Sequence, residues 1–343
     1  MDDETDVISV LEKLVFSFIL KLLDKKQKKV ISKNNIIEIT RLYYIIEIIL
    51  KNINGNIYTT LRQIFYTNPQ LFISQNISNR TIGKLTQIIK KPREILNIYN
   101  SPKGIIRGNL LLKERNLSDW IDCMSIFEVE PYRNKDYFYL FKITRGHLIC
   151  PFGIIDLKIP TTVKYVLIIE KETVFFKLLQ SNFIFKYGPL ILITAKGFPD
   201  INTRQLIYEI QKKNKTLKFF CLTDYDAYGL NVAFTYSAKF ESKVYYMDDI
   251  SINNLQWISI FTPEEGIRKK ALKETDFSKL SLKDIRIMDN ICTKLKSNNK
   301  FGVSETNRWI EQVNNMKKSG IKYEIDAIAD MEKHLDTKIK ELL

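Results

Sequence analysis

The 343-residue chain carries 53 Lys and Arg against 39 Asp and Glu, a formal charge of +14, and is 45% hydrophobic and 12% aromatic, enough apolar surface to build packed cores and exclude a disordered tract. Cys123, Cys150, Cys221 and Cys292 stand singly with no Cys-x-x-Cys, and the histidines are His147 and His334, which argues against a disulfide framework, a finger-type zinc site and a His-based protease. The positive surplus selects polyanionic partners, nucleic acids first; a chain crowded with Lys, Asn and Ile also gains such charge from biased codon usage, so the motifs must decide.

The amino terminus opens Met-Asp-Asp-Glu, without the positive region of a secretory signal, and the apolar run Leu14 to Leu20 is too short to span a bilayer, so a soluble chain with no membrane contact is expected. After this extension, residues 1–34, apolar Ile36, Ile39, Tyr43, Ile46 and Leu50 recur at helical spacing. The stretch Asn52 to Asn56, with Gly55, is expected to end that helix. Thr60-Leu-Arg-Gln63 has the form of a capping box, opening a second helix that carries Arg62, Ile64, Phe65 and Tyr66 until Asn68-Pro69 stops it. Ser78 or Asn79 is positioned to cap a third helix through Ile82, Leu85 and Ile89 to Pro92. Two short extended runs follow, Ile95 to Ile98 and Asn109 to Leu112, around Ser101-Pro-Lys-Gly104 and Gly108. Three helices and a hairpin outline a winged helix over residues 35–115, a module that docks one helix in the major groove and also serves protein contacts.

The rhythm then changes. Tyr165 to Ile169, Leu190 to Thr194 and Phe219 to Thr223 are nearly continuous apolar runs, each followed by a helical stretch: Glu172 to Leu179, Asn202 to Lys212, and Leu230 to Phe240. Buried strands alternating with helices predict a parallel α/β sheet over residues 161–343, joined to the first domain by a connecting segment, 116–160.

Acidic residues sit where ligands gather in such sheets, at the carboxyl ends of strands. Glu170 follows the first run, and Asp224 and Asp226 follow the third, two residues apart and so pointing the same way on extended backbone. Three such carboxylates repel unless a cation neutralises them, and oxygen ligands without His or Cys favour Mg²⁺, with Mn²⁺ an alternative. The plainer role for Asp224 and Asp226 is loop and cap; Glu170 is what tips the balance, with Glu172 ranked below it. Tyr66 is the candidate nucleophile, with Arg62 four residues earlier on the same helical face to favour its phenolate. For most of the 17 tyrosines the default role is packing. Lys103, beside Gly104 at an expected hairpin tip, is a candidate phosphate contact, or simply an exposed turn lysine.

Taken in order, Thr60 to Thr67, Ser101 to Gly108, Val166 to Glu172, Thr194 to Asp200 with Thr203-Arg204, and Leu222 to Gly229 resemble the A subunit of type IIB DNA topoisomerase VI and its eukaryotic relative, the meiotic double-strand-break transesterase (sporulation protein eleven). The likeness continues through Thr262-Pro-Glu264, Trp309 to Gly320, Lys322 to Ile325, and Ala327. Phe65, Leu61 and Ala227 depart from the usual pattern without deleting a required chemical group.

The resemblance implies a winged-helix, CAP-like domain bearing a nucleophilic tyrosine, followed by a Toprim domain, a Rossmann-like parallel sheet that holds Mg²⁺. By matching position it makes Tyr66 the nucleophile, Arg62 and Lys103 its helpers at the scissile phosphate, and Glu170, Asp224 and Asp226 the metal ligands. It also implies double-stranded DNA as substrate, a homodimer in which the tyrosine of one copy works with the Toprim site of the other, and a 5′-phosphotyrosyl product. The sequence has no G-x-x-x-x-G-K-[ST] loop, so ATP, if used, comes with a separate GHKL-type B subunit. Nuclear location follows if the source is eukaryotic. The A subunit of a topoisomerase, a non-catalytic DNA-binding scaffold and a Toprim nuclease or primase-like enzyme remain as alternatives.

Overall fold

The computed structural model describes residues 2–23, 33–115, 117–125, 146–238, 250–297 and 301–343. The expected connecting segment 116–160 therefore lies partly outside the described residues, as do part of the 1–34 extension and the expected helix end at Phe240. The chain forms two compact units, Met1–Ser101 and Pro102–Lys239 with Ile250–Leu343.

The first unit holds α1 (Asp2–Leu23), α2 (Lys33–Gly55), β1 (Thr59–Thr60), α3 (Leu61–Thr67), α4 (Pro69–Phe72), α5 (Gln75–Ile89) and β2 (Ile98–Tyr99). Its core is the apolar stripe of each helix: Ile45 and Ile49 of α2, Ile64 of α3, Phe72 of α4, and Ile82 and Leu85 of α5 are buried, together with Leu96 and Ile98. The α3 capping box is formed in both directions, with Thr60 Oγ1 accepting the Gln63 N–H at 3.2 Å and Gln63 Oε1 accepting the Thr60 N–H at 2.7 Å. Helix α2 ends at Gly55, within the expected breaking segment, and Asn52 faces inward, where its Oδ1 accepts from the Thr59 hydroxyl at 3.1 Å. Helix α5 starts a turn earlier than expected: Ser78 donates its own N–H to the Ser74 carbonyl and is buried inside the helix instead of capping it.

The expected hairpin wing is not formed by its two runs. Arg93–Leu96 winds as a 3₁₀ turn after Pro92, and Ile98–Tyr99 pairs in parallel with Thr59–Thr60, because Leu96 and Ile98 are buried in the helical core. The second run enters the other unit as β4 (Leu111–Glu114), antiparallel to β5 (Ile121–Asp122) and β7 (Ile154–Lys158). The division between units thus falls after Ser101, ahead of the boundary at residue 115 that the sequence suggested.

The second unit is built on a six-stranded sheet. Its strands are β3 (Ile105–Gly108), β6 (His147–Leu148), β8 (Tyr165–Ile169), β9 (Ile191–Thr194), β10 (Lys218–Leu222) and β11 (Leu255–Ile258), in the order β11-β10-β8-β9-β3-β6. Strands β8 to β11 are mutually parallel and β3 lies antiparallel to β9. Every residue of β8 and β9 is buried, which is why these strands read as unbroken apolar runs. The crossovers are α6 (Glu172–Gln180) with α7 (Phe183–Tyr187), α8 (Ile201–Lys213) and α9 (Ala227–Ser237), which bury Phe175 and Leu178, Leu206 and Ile210, and Leu230 and Phe234. From β8 the chain crosses to β9 on one side, and from β10 to β11 on the other, so the order reverses between β8 and β10. At such a switch point the departing connections leave a crevice at the carboxyl ends of the strands. No described helix is long and apolar enough to cross a membrane.

Gly108, at the end of β3, has φ +149, and a Cβ there would lie 2.5 Å from the Leu190 carbonyl oxygen and 2.6 Å from Ile191 Cα. Gly108→Ala is therefore expected to destabilise the chain by about 1–3 kcal/mol, read as a lower denaturant midpoint; an unchanged midpoint would show that the β3–β9 contact is not needed.

Candidate functional site

Two groups of polar side chains stand out, one in each unit. In the first unit Tyr66 closes the last turn of α3 and is 58% exposed. Ile64, fully buried on the opposite side of the same short helix, anchors α3 so that Arg62 and Tyr66 share the outer face. Arg62 Nη2 donates to the Tyr66 hydroxyl at 3.4 Å, and its guanidinium carbon lies 5.7 Å from the ring centroid. Phe65 packs against the ring with centroids 5.2 Å apart. The arrangement presents a hydroxyl to solvent with a fixed positive charge beside it.

In the second unit the acidic residues meet at the switch point. Glu170 follows β8, and its N–H extends the parallel ladder to the Leu222 carbonyl at 3.0 Å. Asp226 caps α9, accepting the Gly229 N–H at 2.6 Å. Asp224 is held on both oxygens, Oδ1 by the Ile325 N–H at 2.9 Å and Oδ2 by the Lys171 ammonium at 3.0 Å. The loop between them is stiffened from below. Trp257 Nε1 donates to Thr223 Oγ1 at 2.8 Å, and the Thr223 hydroxyl donates to the Asp224 carbonyl at 2.8 Å. The Tyr225 ring stacks between Trp257 and Tyr323.

Burial raises the pKa of all three carboxyls. Glu170 is pushed up to about 7, by burial first and then by the charges of Asp224 and Asp226, so the three groups sense one another. Asp224 and Asp226 are raised mainly by burial, against the hydrogen bonds that hold their charged forms. Lys171 is raised as well, for a different reason: burial opposes its charge, but Asp326, Asp224 and Glu324 outweigh it and hold the ammonium above its ordinary value.

The fit to a divalent cation rests on the donor set. All the donors are oxygens, and Glu170 Oε2 is buried with no hydrogen-bond partner, an atom that a hard cation would satisfy. As the rotamers stand, no three His, Cys, Asp or Glu side chains among the described residues close into a cage around one ion. The reason is visible in the partners: Asp224 is engaged by Lys171 and Asp226 by its own helix. Glu172, ranked lower from the sequence, is paired with Lys196 at 2.8 Å.

Lys103 lies elsewhere than expected. It precedes β3, whose first residue Ile105 pairs with Thr194 at the carboxyl end of β9. That places Lys103 at the same end of the sheet as Glu170, Asp224 and Asp226, two strands from β8 and three from β10, hence roughly 10 Å from the Glu170 strand and roughly 14 Å from the Asp224 strand at about 4.8 Å per strand. Gly104 allows this approach, since a Cβ there would fall within 3 Å of both Thr203 Oγ1 and Ile149 Cδ1. Sequence reasoning missed Lys171, Glu324 and Asp326 as members of the acidic edge. Lys171 touches Glu324 and Asp326 across separations of 153 and 155 residues, and no local pattern announces such a pairing.

Comparison with known proteins gives a consistent answer for both units. Residues 165–339 match the Toprim domain of the family described as the topoisomerase 6 A subunit/Spo11, and residues 37–98 match type IIB DNA topoisomerase. The chain is 26% identical over 285 residues to the meiotic recombination protein SPO11 of Mus musculus and 27% identical to that of Homo sapiens, covering 83% of this chain and 65% of each relative. It is 25% identical over 275 residues to the A subunit of DNA topoisomerase 6 of Arabidopsis thaliana, covering 80% of this chain and 58% of that one. The chain thus spans just under two thirds of the length of the first two relatives.

A carboxyl raised in the folded state is more protonated there than when unfolded, so it favours folding below its unfolded value and loses that contribution as pH rises through about 7. In chelator, Glu170→Gln should therefore raise the unfolding free energy at pH 8 by up to ~3 kcal/mol relative to the unmodified chain, with little difference at pH 4. Equal stabilities at both pH values would contradict the burial of an ionised Glu170.

Proposed function

The chain belongs to the family of the topoisomerase 6 A subunit and Spo11, and from that premise we propose that it is a DNA transesterase that makes double-strand breaks through a covalent 5′-phosphotyrosyl link, the step that opens meiotic recombination. The observation that carries this reading is the solvent-exposed Tyr66 hydroxyl with the Arg62 guanidinium at 3.4 Å. Binding DNA requires neither an exposed phenol beside a fixed cation nor half-buried carboxylates gathered at strand ends, so both features speak against a passive scaffold. Two of the cited relatives are named as meiotic recombination proteins, which favours the break-making role. The topoisomerase 6 relative from Arabidopsis thaliana keeps a second reading open, in which the same cleavage serves an ATP-dependent topoisomerase with a separate GHKL-type B subunit.

In the proposed step the Tyr66 phenol gives up its proton and the phenolate oxygen attacks a backbone phosphorus in line. A P–O bond forms to the tyrosine as the bond to the deoxyribose 3′ oxygen breaks, and that oxygen takes up a proton. One phosphodiester replaces another, so cleavage needs no nucleotide. Arg62 offsets charge on the phosphorane. Lys103, at the acidic edge of the sheet, holds a phosphate oxygen. Glu170, Asp224 and Asp226 would hold Mg²⁺, or Mn²⁺, which when bound supplies Lewis-acid stabilisation of the leaving oxygen and a template for the phosphate. Each copy carries one such tyrosine and a duplex has two strands, so the cutting species is a homodimer on double-stranded DNA. Contacts to phosphates carry affinity but little sequence information, hence weak site preference. A meiotic role places the protein in the nucleus.

Tyr66→Phe should abolish protein–DNA adducts trapped by denaturant while leaving DNA affinity within about twofold, and adducts persisting in that variant would refute the nucleophile. Arg62→Ala should slow adduct formation by about 100-fold at unchanged Mg²⁺ requirement. An unaffected rate would remove Arg62 from the chemistry.

A further inference from the structure

We infer that Lys171 is the positioning residue of the acidic edge: its ammonium occupies Asp224 in place of a divalent cation and, through Glu324 and Asp326, ties the segment Ile321–Ala327 onto that edge. This rests on the reading of Glu170, Asp224 and Asp226 as ligands of such a cation.

The geometry is complete for a lysine. An ammonium has three N–H donors and no acceptor, and Lys171 Nζ meets three carboxylates, Asp224 at 3.0 Å, Glu324 at 3.1 Å and Asp326 at 2.9 Å. The partners differ in setting. The Asp224 side chain is 14% exposed, whereas those of Glu324 and Asp326 are 79% and 45% exposed. The link to Asp224 is therefore the poorly screened one, and the other two are surface ties that water competes for.

The segment that carries Glu324 and Asp326 belongs to the edge by its backbone as well. Tyr225 and Tyr323 exchange both backbone hydrogen bonds, at 3.1 and 3.2 Å, and the Ile325 N–H, between the two acidic residues, donates to Asp224 Oδ1. The two tyrosine rings stack at 5.4 Å, and the Tyr323 hydroxyl donates to the Phe261 carbonyl at 2.8 Å. Beside this segment a recess of about 570 Å³ is lined by Asp226, Lys322, Glu324 and Asp326. A cation that reaches Asp224 meets an Oδ2 already taken by the Lys171 ammonium. It must displace the ammonium, which keeps two carboxylates to retreat to and so stays at the edge.

Two consequences separate this role from simple packing. Removing the charge of Lys171 removes the competitor for Asp224, so a divalent ion binds more tightly. It also removes the tie to Glu324 and Asp326, so the segment opens more readily when no ion is present.

The test uses the full chain in three forms, unmodified, Lys171→Gln and Lys171→Arg, with Mn²⁺ binding read by electron paramagnetic resonance and amide exchange followed over 321–328. Lys171→Gln should bind Mn²⁺ about fivefold more tightly or better, exchange this segment about tenfold faster in chelator and recover protection when Mn²⁺ is added; Lys171→Arg should restore both properties. Wild-type Mn²⁺ affinity in Lys171→Gln, or weaker binding, would overturn the competition, and unchanged exchange would overturn the tie. Asp224→Asn separates the underlying reading. If the unmodified chain binds Mn²⁺ no better than that variant, the metal assignment itself fails, and the competition with it, while the exchange data still judge the tie.

Discussion

Half-buried carboxylates that must share one end of the sheet are the constraint around which the second unit is organised. Glu170, Asp224 and Asp226 sit where β8 and β10 end and where the sheet changes direction, so their backbone positions are fixed by a ladder that is buried at its carboxyl end. Their charges cannot relax apart. The chain answers with backbone donors from Ile325 and Gly229 and with the Lys171 ammonium, yet Glu170 stays raised to about 7, mainly by its burial. Glu170 Oε2 is left without a hydrogen-bond partner in this arrangement.

The first unit solves a different problem, that of holding the exposed Tyr66 side chain in water without letting it wander. A two-turn helix has too few hydrogen bonds to be stable alone. Its ends are therefore fixed by the reciprocal Thr60 and Gln63 cap and by Asn68, and its inner face by Ile64, which leaves Arg62 and Tyr66 outside. Exposure of the tyrosine is thus a property of the packing on the other face of α3.

Much of this was legible in the sequence where the signal was local. The Thr60 to Gln63 cap, the stop at Asn68-Pro69 and the buried runs of β8, β9 and β10 follow from patterns a few residues long, and the acidic residues at the strand ends follow from those runs. Long-range pairing was not legible. Ile98 and Leu111 look alike as short apolar runs around a turn, and only the competition between a helical core and a sheet edge sends one to Thr59–Thr60 and the other to β5 and β7. Lys103 illustrates the same limit: a turn lysine by sequence, it reaches the acidic edge because β3 pairs antiparallel with β9. The three partners of Lys171 come from two segments more than fifty residues away, and nothing local in either segment announces the pairing.

The central claim is that the Tyr66 oxygen itself becomes bonded to DNA. Cleavage after Arg62 and Arg80 releases Gln63–Arg80, a peptide with a single tyrosine. Protein trapped on DNA with Mg²⁺, digested with nuclease and trypsin and analysed by mass spectrometry, should show a 5′-phosphodeoxynucleotide on Tyr66 of that peptide. An adduct on another residue, or cut DNA whose 5′ phosphates are all free, would contradict the account.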